Sequence, residues 1–184
     1  MTTAYVIVTG LVVAGLTLLG RWVVRLLTAD SFYAAYEALP WVALGWALYG
    51  LFLVFVTIAG RAKVTTRTFP AAVVGLGVNV LGLALLVGPL GPSGAGIALC
   101  AAYLAMLVVV HVLTRRLFTV PFDWPRLTRV VAIVGGISVA GELLLPTSGM
   151  EGFALRTLAL AAIPIALTPE LLRLRRELLA PAAP

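Results

Sequence analysis

Residues 70–114 read PAAVVGLGVNVLGLALLVGPLGPSGAGIALCAAYLAMLVVVHVLT, and this stretch decides the fold. Two apolar runs, 70–88 and 94–114, flank the segment Gly88-Pro89-Leu90-Gly91-Pro92-Ser93-Gly94. Gly and Pro at that density mark a turn. An α-helix rises ~1.5 Å per residue, so roughly 20 mainly apolar residues cross the hydrocarbon core of a bilayer. Each run has that length. The stretch reads as two transmembrane helices joined by a tight turn.

Working outward, four more runs qualify: 4–27, 41–60, 128–145 and 153–172. Pro40 and Pro70 stand at helix starts, where a missing amide proton costs nothing. Pro146 stops the fifth run, and Pro164 predicts a kink inside the sixth, with Pro169 following. The first run begins at Ala4 with no basic residue before it and is as long as a membrane span. It reads as a retained helix, not a cleaved signal. The expected fold is an all-α polytopic membrane protein, with six transmembrane helices forming a single bundle over residues 1–184.

Composition agrees. Hydrophobic residues make up 62% of the chain, charged residues 11%, and the mean hydropathy is +1.12. A soluble domain carries about a quarter charged residues, and one core cannot hide so large an apolar share. Cys100 is the single cysteine and His111 the single histidine, so neither a disulfide nor a multi-ligand metal site is expected. The seven acidic residues are scattered, which argues against paired-carboxylate hydrolysis. No enzyme activity, cofactor or metal is expected.

The net charge of +6 is distributed by topology and does not point to nucleic acid. Arg61, Lys63 and Arg67 follow the second run, Arg115, Arg116, Arg126 and Arg129 follow the fourth, and Arg173, Arg175 and Arg176 follow the sixth. These segments hold ten of the thirteen basic residues and share one side in a six-helix threading. The positive-inside rule makes that side cytoplasmic, with both termini there. Residues 28–39, with Asp30 and Glu37 among Phe32, Tyr33 and Tyr36, read as a short interfacial helix on the outer side. Asp30 or Ser31 is its expected N-cap. Trp22, Trp41 and Trp124 suit interfacial anchoring. Arg173 to Arg176, interleaved with Leu171, Leu172 and Leu174, suit an amphipathic end lying on anionic lipid.

Several segments together resemble the C-terminal half of polysaccharide flippases of the multidrug/oligosaccharidyl-lipid/polysaccharide (MOP) exporter superfamily. Asp30 to Pro40 is similar to that family's outer segment, a tyrosine-alanine run ahead of the next helix, and Leu44-Gly45 to Tyr49-Gly50-Leu51 to the helix that follows. Thr65-Thr66-Arg67 stands where the family has a short basic turn. The most specific part is Val78-Asn79-Val80 through Gly91-Pro92-Ser93-Gly94-Ala95-Gly96: an asparagine-containing helix, a glycine turn, then a Gly-Ala pair. Tyr103 falls where the family often has tyrosine, whereas Gly82 stands in place of a frequent second asparagine. The resemblance implies one bundle of a MATE-like flippase that translocates a lipid-linked oligosaccharide or polysaccharide precursor across the bacterial cytoplasmic (inner) membrane. It also implies partners: membrane lipids, the lipid-linked sugar, and a second half of roughly six to eight helices completing the path between the bundles. That half would be the N-terminal part of the same gene, a split partner or a second copy.

Five residues are candidate substrate-binding positions. Arg21 and Arg25 lie one turn apart near the outer end of the first helix. The resemblance implies a pyrophosphate, which an arginine fork suits; the alternative is snorkelling to outer headgroups. Glu142 and Arg156 fall at matching depths in the fifth and sixth helices. They read either as a structural ion pair or as a vestibule element. Asn79, mid-helix, would bond a sugar or a coupling ion, or a neighbouring helix. His111 reads as interfacial, and the glycines around 75–82 and 135–141 as close packing. Two other functions fit the same residues: half of a cation-coupled multidrug exporter, for which Glu142 is the available carboxylate, and a non-transporting membrane scaffold or truncated remnant.

Overall fold

The computed structural model describes residues 2–61, 69–114 and 124–179. Helix α1 spans Thr2–Leu27, and a 3-10 segment Asp30–Glu37 leads into α2, Leu39–Arg61. Then come α3, Phe69–Thr114, α4, Trp124–Leu144, α5, Gly149–Ala166, and α6, Thr168–Leu179. Among the described residues every regular element is helical. Five helices, α1 to α5, are long and apolar enough to cross a membrane, which fits a multi-pass membrane protein. Their outward faces are apolar, with Leu76, Leu81 and Leu85 each well exposed, as lipid-facing side chains are.

At 46 residues α3 would be about 69 Å long if straight, more than twice the hydrocarbon thickness. It is bent at Gly91, whose φ of 56° and ψ of −138° are not helical. Only glycine adopts that backbone without strain. The expected turn over 88–94 is therefore narrower than its composition suggested: helix continues through Gly88 and Pro89 and resumes at Pro92. Pro92 opens the second arm, where a proline is tolerated.

The chain forms two compact units, residues 23–121 and the pair of segments 1–22 and 122–184. In the first, the two arms of α3 run antiparallel. Gly82 faces Ala98, Gly75 faces Ala102 and Met106, and Gly94 abuts the Leu86 carbonyl. The arm 92–114 also packs on α2, through Trp41 with Gly96, Gly45 with Leu99, Tyr49 with Tyr103 and Phe55 with His111. Both numbers rise together along that list, so α2 and this arm are parallel. Cys100 Sγ donates to the Trp41 carbonyl at 2.9 Å, and Ser93 Oγ donates to the Glu37 carbonyl at 3.3 Å. The second bond ties the turn to the 3-10 segment. Lipid tails are as apolar as leucine, so close approach at small residues holds such helices together.

In the second unit α1 and α4 are parallel, with Gly10 on Val134 and Leu18 on Gly141. Helix α5 runs against both, with Leu160 near Gly15 and Phe153 edge-on to Trp22 at 5.6 Å. Ile7, Ala14, Val130, Val134, Ile163 and Leu167 form the core between them.

Three local expectations are corrected. The N-cap of the 3-10 segment is Ala29, with no side-chain cap, and not Asp30 or Ser31. The run expected at 128–145 begins at Trp124, so Arg126 belongs to a helix and not to a loop. The run expected at 153–172 is two helices divided at Leu167. The basic positions Lys63, Arg67, Arg115 and Arg116, with Thr65 and Thr66, lie outside the described residues.

Candidate functional site

Helix α4 carries a charged cluster near each end, with an apolar stretch between. Its 21 residues span about 31 Å, close to a bilayer core. Charges near helix ends are tolerated because they reach the headgroup region, whereas mid-core charges are costly.

The first cluster surrounds the loop after α4. Arg156 is only 3% exposed, and its Nη1 donates to Glu142 Oε2 at 2.6 Å. Its Nε donates to the Pro146 carbonyl at 3.1 Å, Nη2 to the Leu145 carbonyl at 3.2 Å, and Nη1 also to the Leu18 carbonyl at 3.3 Å. Arg21 Nη1 donates to the Thr147 carbonyl at 3.0 Å. Three successive carbonyls past the helix end, which have no intrahelical donor, are thus met by two arginine forks. Gly152 makes room: a Cβ there would come within 2.7 Å of the Pro146 carbonyl oxygen. The Arg156 guanidinium also lies over the Trp22 ring, 6.0 Å from its centroid.

Three of the five sequence candidates, Arg21, Glu142 and Arg156, are therefore brought together. Their roles differ. Arg156 is enclosed by protein acceptors and positions the loop. Glu142 is 46% exposed. Arg25 and Asn79 belong to the other unit. Arg25 is exposed and lies over the Tyr33 ring at 5.7 Å. The Tyr33 hydroxyl bonds Asp30, which pushes the phenol above its ordinary value of 10.0. Asn79 is half-buried in the first arm of α3.

The second cluster was not foreseen. Glu170, near the start of α6, is 1% exposed and accepts from Arg126 Nε at 2.8 Å and from Arg129 Nη1 at 3.0 Å. Arg126 Nη2 also donates to the Glu170 carbonyl at 3.2 Å. Arg126 is buried with it, while Arg129 is 57% exposed. The sequence carried one signal: Glu170 is an isolated carboxylate beside a membrane-length run, which calls for a basic partner.

No family model matches the chain, and searches of curated proteins and of solved structures found no match either.

Proposed function

We propose that the chain is a transport module of the bacterial cytoplasmic membrane, one half of a flippase that carries a lipid-linked oligosaccharide between leaflets. It crosses the bilayer six times, through α1, α2, the two arms of α3, α4 and α5. The basic segments then share the cytoplasmic side with both ends of the chain. What supports the reading is the likeness carried by residues 30–103 together with one observation: Arg21, Glu142 and Arg156 converge at one end of helices α1, α4 and α5. Polar groups at membrane depth are functional candidates by default.

In this reading the sugar crosses in a polar path completed by a second half, by rocking of two bundles. In one unit Arg21 is the candidate for the pyrophosphate and Glu142 for the sugar, with Arg156 holding the loop in place; Arg25 and Asn79 are separate candidates in the other unit. The test is transport of a lipid-linked sugar into proteoliposomes by this chain with its partner half. Arg21→Gln and Arg25→Gln, made separately, are expected to abolish transport while the helical content stays unchanged. Undiminished transport in both variants overturns the assignment.

A second reading, a non-transporting scaffold, is favoured by the internal satisfaction of both charge clusters. It predicts that no lipid-linked sugar stabilises the chain against thermal unfolding. For a cation-coupled exporter, Glu142→Gln would have to abolish dye efflux. The 2.6 Å bond to Arg156 already engages that carboxylate within the protein.

A further inference from the structure

Helix α6 is set apart from α5 at Leu167, where φ is −88° and ψ is 2°. Pro169 has no amide to offer the Ile165 carbonyl. Thr168 Oγ1 donates to that carbonyl instead, at 2.7 Å, and to the Pro164 carbonyl at 3.2 Å. The break is thereby satisfied, and α6 starts at Thr168. One face of α6 is held by the bundle: Leu167 and Glu170 are buried, and Leu171 packs on the core. The opposite face presents Arg173 and Arg176 one turn apart, with Leu172 beside Arg176 and Arg175 at its flank, all exposed.

The geometry points to a binding surface for anionic phospholipid headgroups, made by Arg173 and Arg176 on the outward face of α6, with the exposed Arg129 adding positive charge where α6 docks on the start of α4. Glu170 is the internal counter-ion. It accepts from two arginines, so the cluster keeps one net positive charge, at the side where Arg129 is 57% exposed. Glu170 also fixes the rotation of α6 so that its arginines face outward. A leucine among arginines on an outward face suits a helix lying in the interface, leucine toward the acyl chains and guanidinium groups on phosphates. The occupant is a leaflet of negatively charged phospholipid, by charge complementarity. The inference does not depend on what the bundle transports.

The test titrates labelled phosphatidylglycerol into the full chain in neutral detergent and reads its anisotropy. Phosphatidylcholine with the same label is run beside it, and inorganic phosphate is tried as a competitor. Each basic group near an anionic surface contributes about five-fold in affinity. Arg173→Gln with Arg176→Gln should therefore weaken phosphatidylglycerol binding roughly 25-fold. Both side chains are exposed, so the fold should survive the change. The double lysine variant should keep the binding, because charge and not fork geometry dominates at a surface. Equal binding of the two lipids, no effect of the double glutamine variant, or displacement by inorganic phosphate at concentrations equal to the lipid's overturns the proposal.

Discussion

Arg156 and Glu142 are joined at 2.6 Å, yet one is 3% exposed and the other 46%. The pair is therefore asymmetric. Removing the arginine leaves the Leu145, Pro146 and Leu18 carbonyls without these donors, whereas neutralising the glutamate leaves the arginine three other acceptors. Arg156→Ala should cost about 2–4 kcal/mol of stability, and Glu142→Gln less than about 1 kcal/mol. Thermal unfolding of the purified chain in one detergent checks the ranking. Equal losses would mean that the ion pair, not the carbonyl clamp, is what matters.

Glu170→Gln should loosen α6. The amide offers a single acceptor oxygen to two arginines, and Arg126 is left buried without its counter-charge. A loss of about 2–4 kcal/mol is expected, concentrated where α6 meets α4. Hydrogen exchange over residues 168–179 should accelerate, while exchange in the arms of α3 stays unchanged.

The bend in α3 rests on glycines with different duties. Gly91→Ala forces a side chain into a positive-φ backbone, at about 1–2 kcal/mol. Gly94→Ala places a Cβ against the Leu86 carbonyl, which is backbone and cannot rotate away, at about 1–3 kcal/mol. Gly77→Ala and Gly88→Ala meet nothing within 4 Å and should change stability by less than about 0.5 kcal/mol. Melting midpoints of the four variants test the order.

Tyr33 should ionise late. Its hydrogen bond to Asp30 raises the phenol most, desolvation and the Asp30 charge add to this, and Arg25 opposes it. The folded value lies above the ordinary one, so this contact stabilises the 3-10 segment fully below about pH 10 and is lost as pH rises through the raised value. Ultraviolet titration of the chain minus that of Tyr33→Phe should show a midpoint above 10.0, and Asp30→Asn should bring it down.

The apolar runs were legible because length and hydropathy alone determine a membrane-spanning helix. Glu142 and Arg156 were legible because two charges at matching depth in consecutive helices have little choice but to meet. The division at Leu167 was not. Pro164 drew attention to itself, but the break depends on the Thr168 hydroxyl replacing an amide that Pro169 lacks. Composition does not encode that exchange. Arg126 and Glu170 are 44 residues apart, and their meeting follows from the packing of α6 on α4. In sequence Arg126 looked like one more basic loop residue. A short helical segment does fall within residues 28–39, but its expected cap does not form, because the Asp30 carboxylate engages the Tyr33 hydroxyl and not a backbone amide.

The two charge clusters on α4 have a mechanical consequence. Near one end Arg156 grips α1, α5 and the loop together; near the other, Glu170 fastens α6 to the same helix. Sliding α4 by one helical turn, about 5.4 Å, would tear both clusters at once and leave the buried Arg126, Arg156 and Glu170 without their partners. Helices α1, α4 and α5 are therefore geared to travel as one block, and internal shear is the motion this unit is built to refuse.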